Sequence, residues 1–493
     1  MLLSAPVLLT GCLGGLGSRR EGRPSAQPDL AYQARLLSTS PPTVEISLRV
    51  AGSAAGVTTL GLSDDWKAEA TERRILDLSA VGASGRNLPV IRELGARWTA
   101  THAPGEMLAL RYRLAAGERP PRASNYEVMI TPEFCLLFAA SALLYPQHLR
   151  GDTPHRIAFR WAGFRDADWS VASSRGLGDL LSFTDTDEGF EYSTFLAAPS
   201  LAFAHRTVGA GVLTVALVGS RWKLSGDVLA DDAVRILGNA RRFFSDPGPP
   251  LFFISAVPVG AYDERGGSFS GTALTNGFAL LLPPPARYDR FGEAVRMLLA
   301  HEGLHNWFGH TIRSDEPSGS VAWFFEGFTT FYTRRLNYRG GLISLEKLVE
   351  DLNSAVESYV SSPERNLSAE EMADQFRREK RMSRVAYLRG DLIALVTDYE
   401  LRNASRGKRS LDHLVRELAD AGRAGMRVST ASLIETIARE TSPGFGARLR
   451  ATVTDGASWE LPPDVLSPCL RLVDKGGTPA FHVDRPDACP DRL

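Results

Sequence analysis

Two imidazoles four residues apart, with a carboxylate beside the first, stand at His301-Glu302-Gly303-Leu304-His305. On a helix, positions i and i+4 project from one face about a turn apart, so both rings can reach one metal ion at about 2.0–2.1 Å. Glu302, directly after the first ligand, can approach a metal-held water from the side and take its proton. The chemistry of such a set is hydrolysis by an activated water. The chain has 9 histidines in 493 residues, so a chance HExxH is expected on the order of once in a hundred such chains.

A catalytic zinc site takes three protein ligands and leaves one position open. His310 follows His305 by five residues, out of register with the metzincin pattern, in which the third histidine comes six after the second. Glu326 is the stronger candidate, because it stands among six aromatics between Trp323 and Tyr332. A carboxylate there carries a large desolvation cost that coordination offsets. The 20 residues between His305 and Glu326 have room for a helix end, a loop over Ser314 to Ser320 and a second, antiparallel helix.

The elements that must position these groups follow from periodicity. Apolar residues recur at helical spacing over about 290–309, 320–337, 344–361, 384–404, 410–421 and 429–440. Upstream, from about 31 to 170, alternation dominates, as in Val44, Ile46, Leu48 and Val50 or Leu108, Leu110, Tyr112 and Leu114. Half-buried strands in a β-sandwich are the expected structure. Further strands are expected at Val212 to Val218, Leu251 to Val257 and Phe278 to Leu282, with a helix over Asp231 to Phe244 that ends at the breaker 246–250.

Composition narrows the function classes. With 56 Lys+Arg against 57 Asp+Glu the net charge is -1, which offers no single-sign field for a polyanion, so no nucleic acid partner is expected. The apolar run Met1 to Leu9 leads into Leu9-Thr10-Gly11-Cys12, which resembles a bacterial lipobox. That resemblance implies a signal segment over 1–12, lipidation of Cys12, a flexible tether over 13–30, and a lipid anchor in the bacterial cell envelope facing the periplasm or cell surface. Cys469 and Cys489 lie in the C-terminal tail, where a disulfide would suit an oxidising compartment. Cys135, among Phe134, Leu136, Leu137 and Phe138, is expected to be a buried small hydrophobe.

HExxH followed after a loop by Trp323-Phe324-Phe325-Glu326-Gly327-Phe328-Thr329 resembles the glycyl aminopeptidase family of gluzincin zinc metallopeptidases. The resemblance implies an α+β multidomain chain: an N-terminal β-sandwich domain over 31–170, a thermolysin-like, mainly helical zinc peptidase domain over 171–455, and a tail over 456–493. It implies one Zn2+ per chain on His301, His305 and Glu326, with Glu302 as general base and a peptide or protein as substrate. Ala386-Tyr387-Leu388-Arg389-Gly390 is similar to the family's Tyr-x-(Lys/Arg)-Gly segment, which makes Tyr387 the expected oxyanion donor. Family members hold the substrate's free amine with a Glu at the end of a Gly-rich strand. The corresponding stretch, Gly271-Thr272-Ala273-Leu274-Thr275-Asn276-Gly277, has no acid. Gly271, Thr275 and Asn276 are the expected substrate-binding residues, with Asp263 and Glu264 the nearest acids upstream. Peptide hydrolysis is therefore expected, aminopeptidase-like or, without the amine-holding Glu, endopeptidase-like; loss of turnover in a surface-binding lipoprotein is the remaining alternative.

Overall fold

A computed structural model describes residues 27–63, 74–115, 127–220, 222, 224–259, 270–283, 288–376, 380–489 and 493. The signal segment with Cys12, nearly all of the expected tether, and Asp263 and Glu264 lie outside the described residues.

The N-terminal unit is built of three sheets. The largest has seven strands in the order Leu180–Asp185, His155–Ala162, Leu30–Thr39, Pro42–Ala51, Met107–Ala115, Ile75–Val81 and Asn87–Leu88. Val44, Ile46, Leu48 and Val50 are all fully buried, while the residues between them are not. Their face packs with Leu60, Trp98 and Ala100 of a four-stranded sheet into one core, as a sandwich does. The third sheet, Ser170–Ser173, Thr194–Ala198, Cys135–Phe138 and Met129–Ile130, carries the buried, unpaired Cys135.

The boundary expected at 170 is corrected. Leu180–Asp185 pairs with His155–Ala162 and Thr194–Ala198 pairs with Cys135–Phe138, so the N-terminal sheets continue to Ala198. Alternation identifies a strand without saying which sheet will take it.

The second unit opens with a five-stranded sheet: β1 (Leu201–Val208), β2 (Gly211–Val218), β3 (Leu251–Pro258), β4 (Ser270–Leu274) and β5 (Gly277–Leu282), in the spatial order β1-β2-β3-β5-β4. Helix α1 (Gly226–Phe244) makes the crossover between β2 and β3, which run parallel. Strands β2, β3 and β5 are near-continuous apolar runs because both faces of the sheet are covered. One face, with Leu213, Ile254 and Leu280, packs on α1 and on α2 (Tyr288–Leu304). The other, with Phe253, Val257 and Leu281, packs on Leu136, Phe138 and Leu196 of the third N-terminal sheet.

The remainder is helical: α3 (Ser318–Arg339), α4 (Leu345–Ser361), α5 (Ala369–Gln375), α6 (Lys380–Ala404), α7 (Leu411–Arg423), α8 (Thr430–Glu440) and α9 (Pro443–Asp455). Ser442 caps α9 with Pro443 in its first turn, and Gly456 at φ 74° closes it. A buried charge network binds α3 to α6 and α7: Arg335 lies 2.7 Å from Asp398 and 3.2 Å from Asp412, and Tyr332 donates to Asp412 at 3.0 Å. Burial works against charge on Asp398, but Arg335 and Arg402 outweigh it and hold the carboxyl down at about 2.

The C-terminal segment is part of this core. Leu470–Lys475 and Thr478–Val483 form a hairpin, Cys469 is joined to Cys489, and Asn353 of α4 exchanges two hydrogen bonds with the Phe481 backbone. Among the described residues no helix is long and apolar enough to cross a membrane.

Candidate metal centre

Helix α2 carries His301 and Glu302 and ends at Leu304, so His305 stands on the turn that follows rather than inside a helix running to 309. That turn is fixed by its own packing. Trp307 stacks on Phe244 with ring centroids 4.7 Å apart and donates its indole N–H to Asp246 at 2.9 Å. His305 pairs Nδ1 with the Phe308 carbonyl at 3.0 Å. With Nδ1–H as the donor, Nε2 is left as a lone-pair ligand.

Glu326, on the third turn of α3 after the expected loop, meets both rings. One of its carboxylate oxygens lies 3.3 Å from His301 Nε2 and 3.5 Å from His305 Nε2. A tetrahedral ion with bonds of about 2.0–2.1 Å spaces its ligand atoms roughly 3.3–3.4 Å apart. The three side chains form the one such cluster of metal-ligating groups among the described residues. Two imidazole nitrogens and a carboxylate are the donor set that suits zinc with an open position.

The electrostatics agree with this geometry. Burial disfavours charge on Glu326, yet the neighbouring imidazoles hold its carboxyl far below the usual range. Against the same burial, Glu326 and Glu302 push His305 up to about 9.

Glu302 points from α2 toward the edge strand β4. Burial pushes its carboxyl above the ordinary range, against the pull of His305, His301 and the Ala273 amide that donates to it. A Cβ on Gly271 would stand 2.9 Å from Glu302 Cγ and 3.2 Å from Leu298, so glycine lets β4 lie directly over the carboxylate. In the two-residue hairpin, Leu274 pairs with Gly277, which turns the Gly271 and Ala273 backbone groups to the edge of the sheet, unpaired with any strand among the described residues.

Tyr387 on α6 completes the set, its ring 5.7 Å from that of His301 and inclined by 22°. Thus His301, Glu302, His305, Glu326, Tyr387 and Gly271 come together. His310 does not join them, and it packs edge-on against Tyr192 at 4.5 Å. Thr275 and Asn276 lie apart from the carboxylate, at the hairpin turn. The Thr275 amide donates to Tyr192 at 3.0 Å and its hydroxyl to the Gly189 carbonyl at 2.9 Å, while Asn276 sits in the left-handed region at φ 57°. Thr275 seals β4 against the N-terminal unit and Asn276 makes the turn. They line a separate polar cavity of about 420 Å³ with His310, Arg241 and Glu188. The Ala273 amide was not anticipated, since a backbone donor has no side-chain signature.

Residues 294–389 match the M61 glycyl aminopeptidase family. No curated protein matches the chain. Among solved structures, the chain is similar to an aminopeptidase N family protein from Idiomarina loihiensis, at 17% identity and a TM-score of 0.75, covering 90% of this chain and 79% of that one. It is also similar to an M1 zinc metallopeptidase from Deinococcus radiodurans, at 16% identity and a TM-score of 0.54, covering 88% and 94%. At these identities the likeness to the solved structures is one of fold. The segment that carries His301, Glu302, His305, Glu326 and Tyr387 thus matches the M61 glycyl aminopeptidase family, set in a fold shared with aminopeptidase N family and M1 zinc metallopeptidase structures.

Proposed function

We propose that the protein is a zinc-dependent metallopeptidase, aminopeptidase-like in its specificity. The observation that carries this reading is the convergence of His301, His305 and Glu326 at 3.3 and 3.5 Å beside a half-buried Glu302 that lies under a sheet edge unpaired among the described residues.

An extended peptide adds to the edge of β4 through the outward backbone groups of Gly271 and the Ala273 carbonyl, which brings its scissile carbonyl over Glu302. Zinc, when bound by His301, His305 and Glu326, supplies a Lewis acid that polarises that carbonyl and acidifies a water. Glu302 takes the proton from the attacking water and delivers it to the leaving amine, a shuttle suited to a carboxyl whose burial has raised its proton affinity. The Tyr387 hydroxyl donates to the carbonyl oxygen as it gains negative charge.

Exopeptidase action is supported by the end of β4, where Thr275 is tied to Gly189 and Tyr192 and leaves only a short free edge. Endopeptidase action is the second reading, favoured by the absence of a carboxylate over 271–277. One peptide mixture, free and N-acetylated, digested with and without a chelator, separates the two by mass spectrometry. Chelator-sensitive loss of single N-terminal residues from free peptides alone supports aminopeptidase action; internal cuts in both forms support the second reading; no chelator-sensitive cleavage defeats both.

The proposed location is the bacterial cell envelope, with Cys12 lipidated. The Leu9-Thr10-Gly11-Cys12 sequence and the Cys469–Cys489 disulfide support it. Metabolic labelling with a fatty acid, lost in Cys12→Ser, is the test.

A further inference from the structure

Helices α3 and α6 cross at two glycines, and the crossing admits no side chain. A Cβ on Gly390 would stand 2.7 Å from the Trp323 carbonyl carbon, 2.8 Å from Gly327 Cα and nearer still to the Trp323 carbonyl oxygen. A Cβ on Gly327 would meet the Gly390 backbone and stand 2.8 Å from the Asp391 amide nitrogen. Distances under 3.0 Å do not occur for real Cβ atoms, so an alanine at either position must drive the two backbones apart.

What the crossing joins is chemical. Glu326 directly precedes Gly327 on α3, and Tyr387 lies three residues before Gly390 on α6, on the same face. The neighbours of Gly390 hold the α6 segment rigidly. Arg389, 3% exposed, donates to the carbonyls of Thr452, Arg365 and Leu367 at 3.1, 3.0 and 2.7 Å. Asp391, 1% exposed, pairs with Arg334, two turns beyond Gly327 on α3. Any separation of the backbones at Gly390 is therefore passed to Tyr387.

We propose that Gly390, through its contact with Gly327, is a positioning residue that sets the distance from the Tyr387 hydroxyl to the metal centre. Neither glycine touches substrate; each acts through the tyrosine. The inference rests on the reading of Tyr387 as the oxyanion donor in a zinc peptidase.

The test is a double-mutant cycle on the zinc-loaded full chain. Gly390→Ala is expected to keep zinc and KM and to lose kcat by about 100-fold, the cost of roughly 1 Å of misplacement. Tyr387→Phe, which lowers kcat in the otherwise native chain, is then expected to add less than about 2-fold in the Gly390→Ala background, because the hydroxyl is already displaced. Unchanged kcat in Gly390→Ala, or an equal loss from Tyr387→Phe in both backgrounds, overturns the positioning role. Unchanged kcat for Tyr387→Phe alone defeats the underlying reading of the tyrosine instead. Should the alanine variant not fold, Asp391→Asn loosens the same crossing without adding bulk. A kcat loss of about 10-fold that does not multiply with Tyr387→Phe supports the proposal, whereas unchanged kcat or multiplicative losses overturn it.

Discussion

The Nδ1 of His305 pairs with the Phe308 carbonyl at 3.0 Å, which presents its Nε2 to Glu326. The ligand tautomer is thus set by a backbone carbonyl on the same turn, independently of any partner side chain.

Glu326→Ala removes the atom on which both imidazoles converge, and zinc content measured by metal analysis is expected to fall to background. Glu302→Gln keeps that site, so zinc is retained while kcat falls by about 10²–10⁴-fold. Retained turnover in Glu302→Gln would remove the general-base role.

Tyr387→Phe deletes one donor to a developing oxyanion. The expected loss is about 10²–10³-fold in kcat, with little change in KM, because the bond strengthens only in the transition state. A loss confined to KM would show that the hydroxyl binds ground-state substrate.

Burial holds His310 down at about 4, against 6.5 for an unperturbed ring. Between about pH 6.5 and 4 the unfolded chain therefore binds one proton more than the native chain, so this contribution to stability is complete above the window and is lost as the pH falls through it. His310→Phe keeps a ring against Tyr192 and is expected to abolish that one-proton slope. Urea unfolding of both proteins across the window measures it, and an identical slope in the two would assign the proton elsewhere.

Arg335→Met leaves Asp398 and Asp412 buried without their shared guanidinium. A loss of about 3–5 kcal/mol in unfolding free energy is expected, the cost of breaking a buried pair from one side. Denaturant melts read it directly, and a change under about 1 kcal/mol would mean that water replaces the guanidinium.

The cluster proposed to hold the metal, with Glu302 beside it, was legible because coordination imposes residue type and spacing together: His301, Glu302 and His305 within about a turn, and Glu326 as a carboxylate that six aromatics would not otherwise tolerate. Strand and helix periods were equally open to reading, from Val44 to Val50 and from Leu345 to Ser361. Long-range relationships were not. Strand Leu180–Asp185 alternates like its neighbours, and its membership of the N-terminal sheet is decided by His155–Ala162. Thr275 could be placed on the Gly-rich strand but not against Gly189, 86 residues earlier. Gly390 in a helix reads as lost propensity until α3 is seen against it.

The five-stranded sheet of the second unit has no face of its own to show to water. Phe253, Val257, Ala279 and Leu281 are covered by Leu136, Phe138 and Leu196 from the N-terminal unit. A chain cut before Leu201 would expose that apolar face and associate through it. The smallest autonomous piece of this enzyme fold therefore includes the third N-terminal sheet, and the two units are expected to melt in one cooperative transition, which calorimetry of the intact chain can establish.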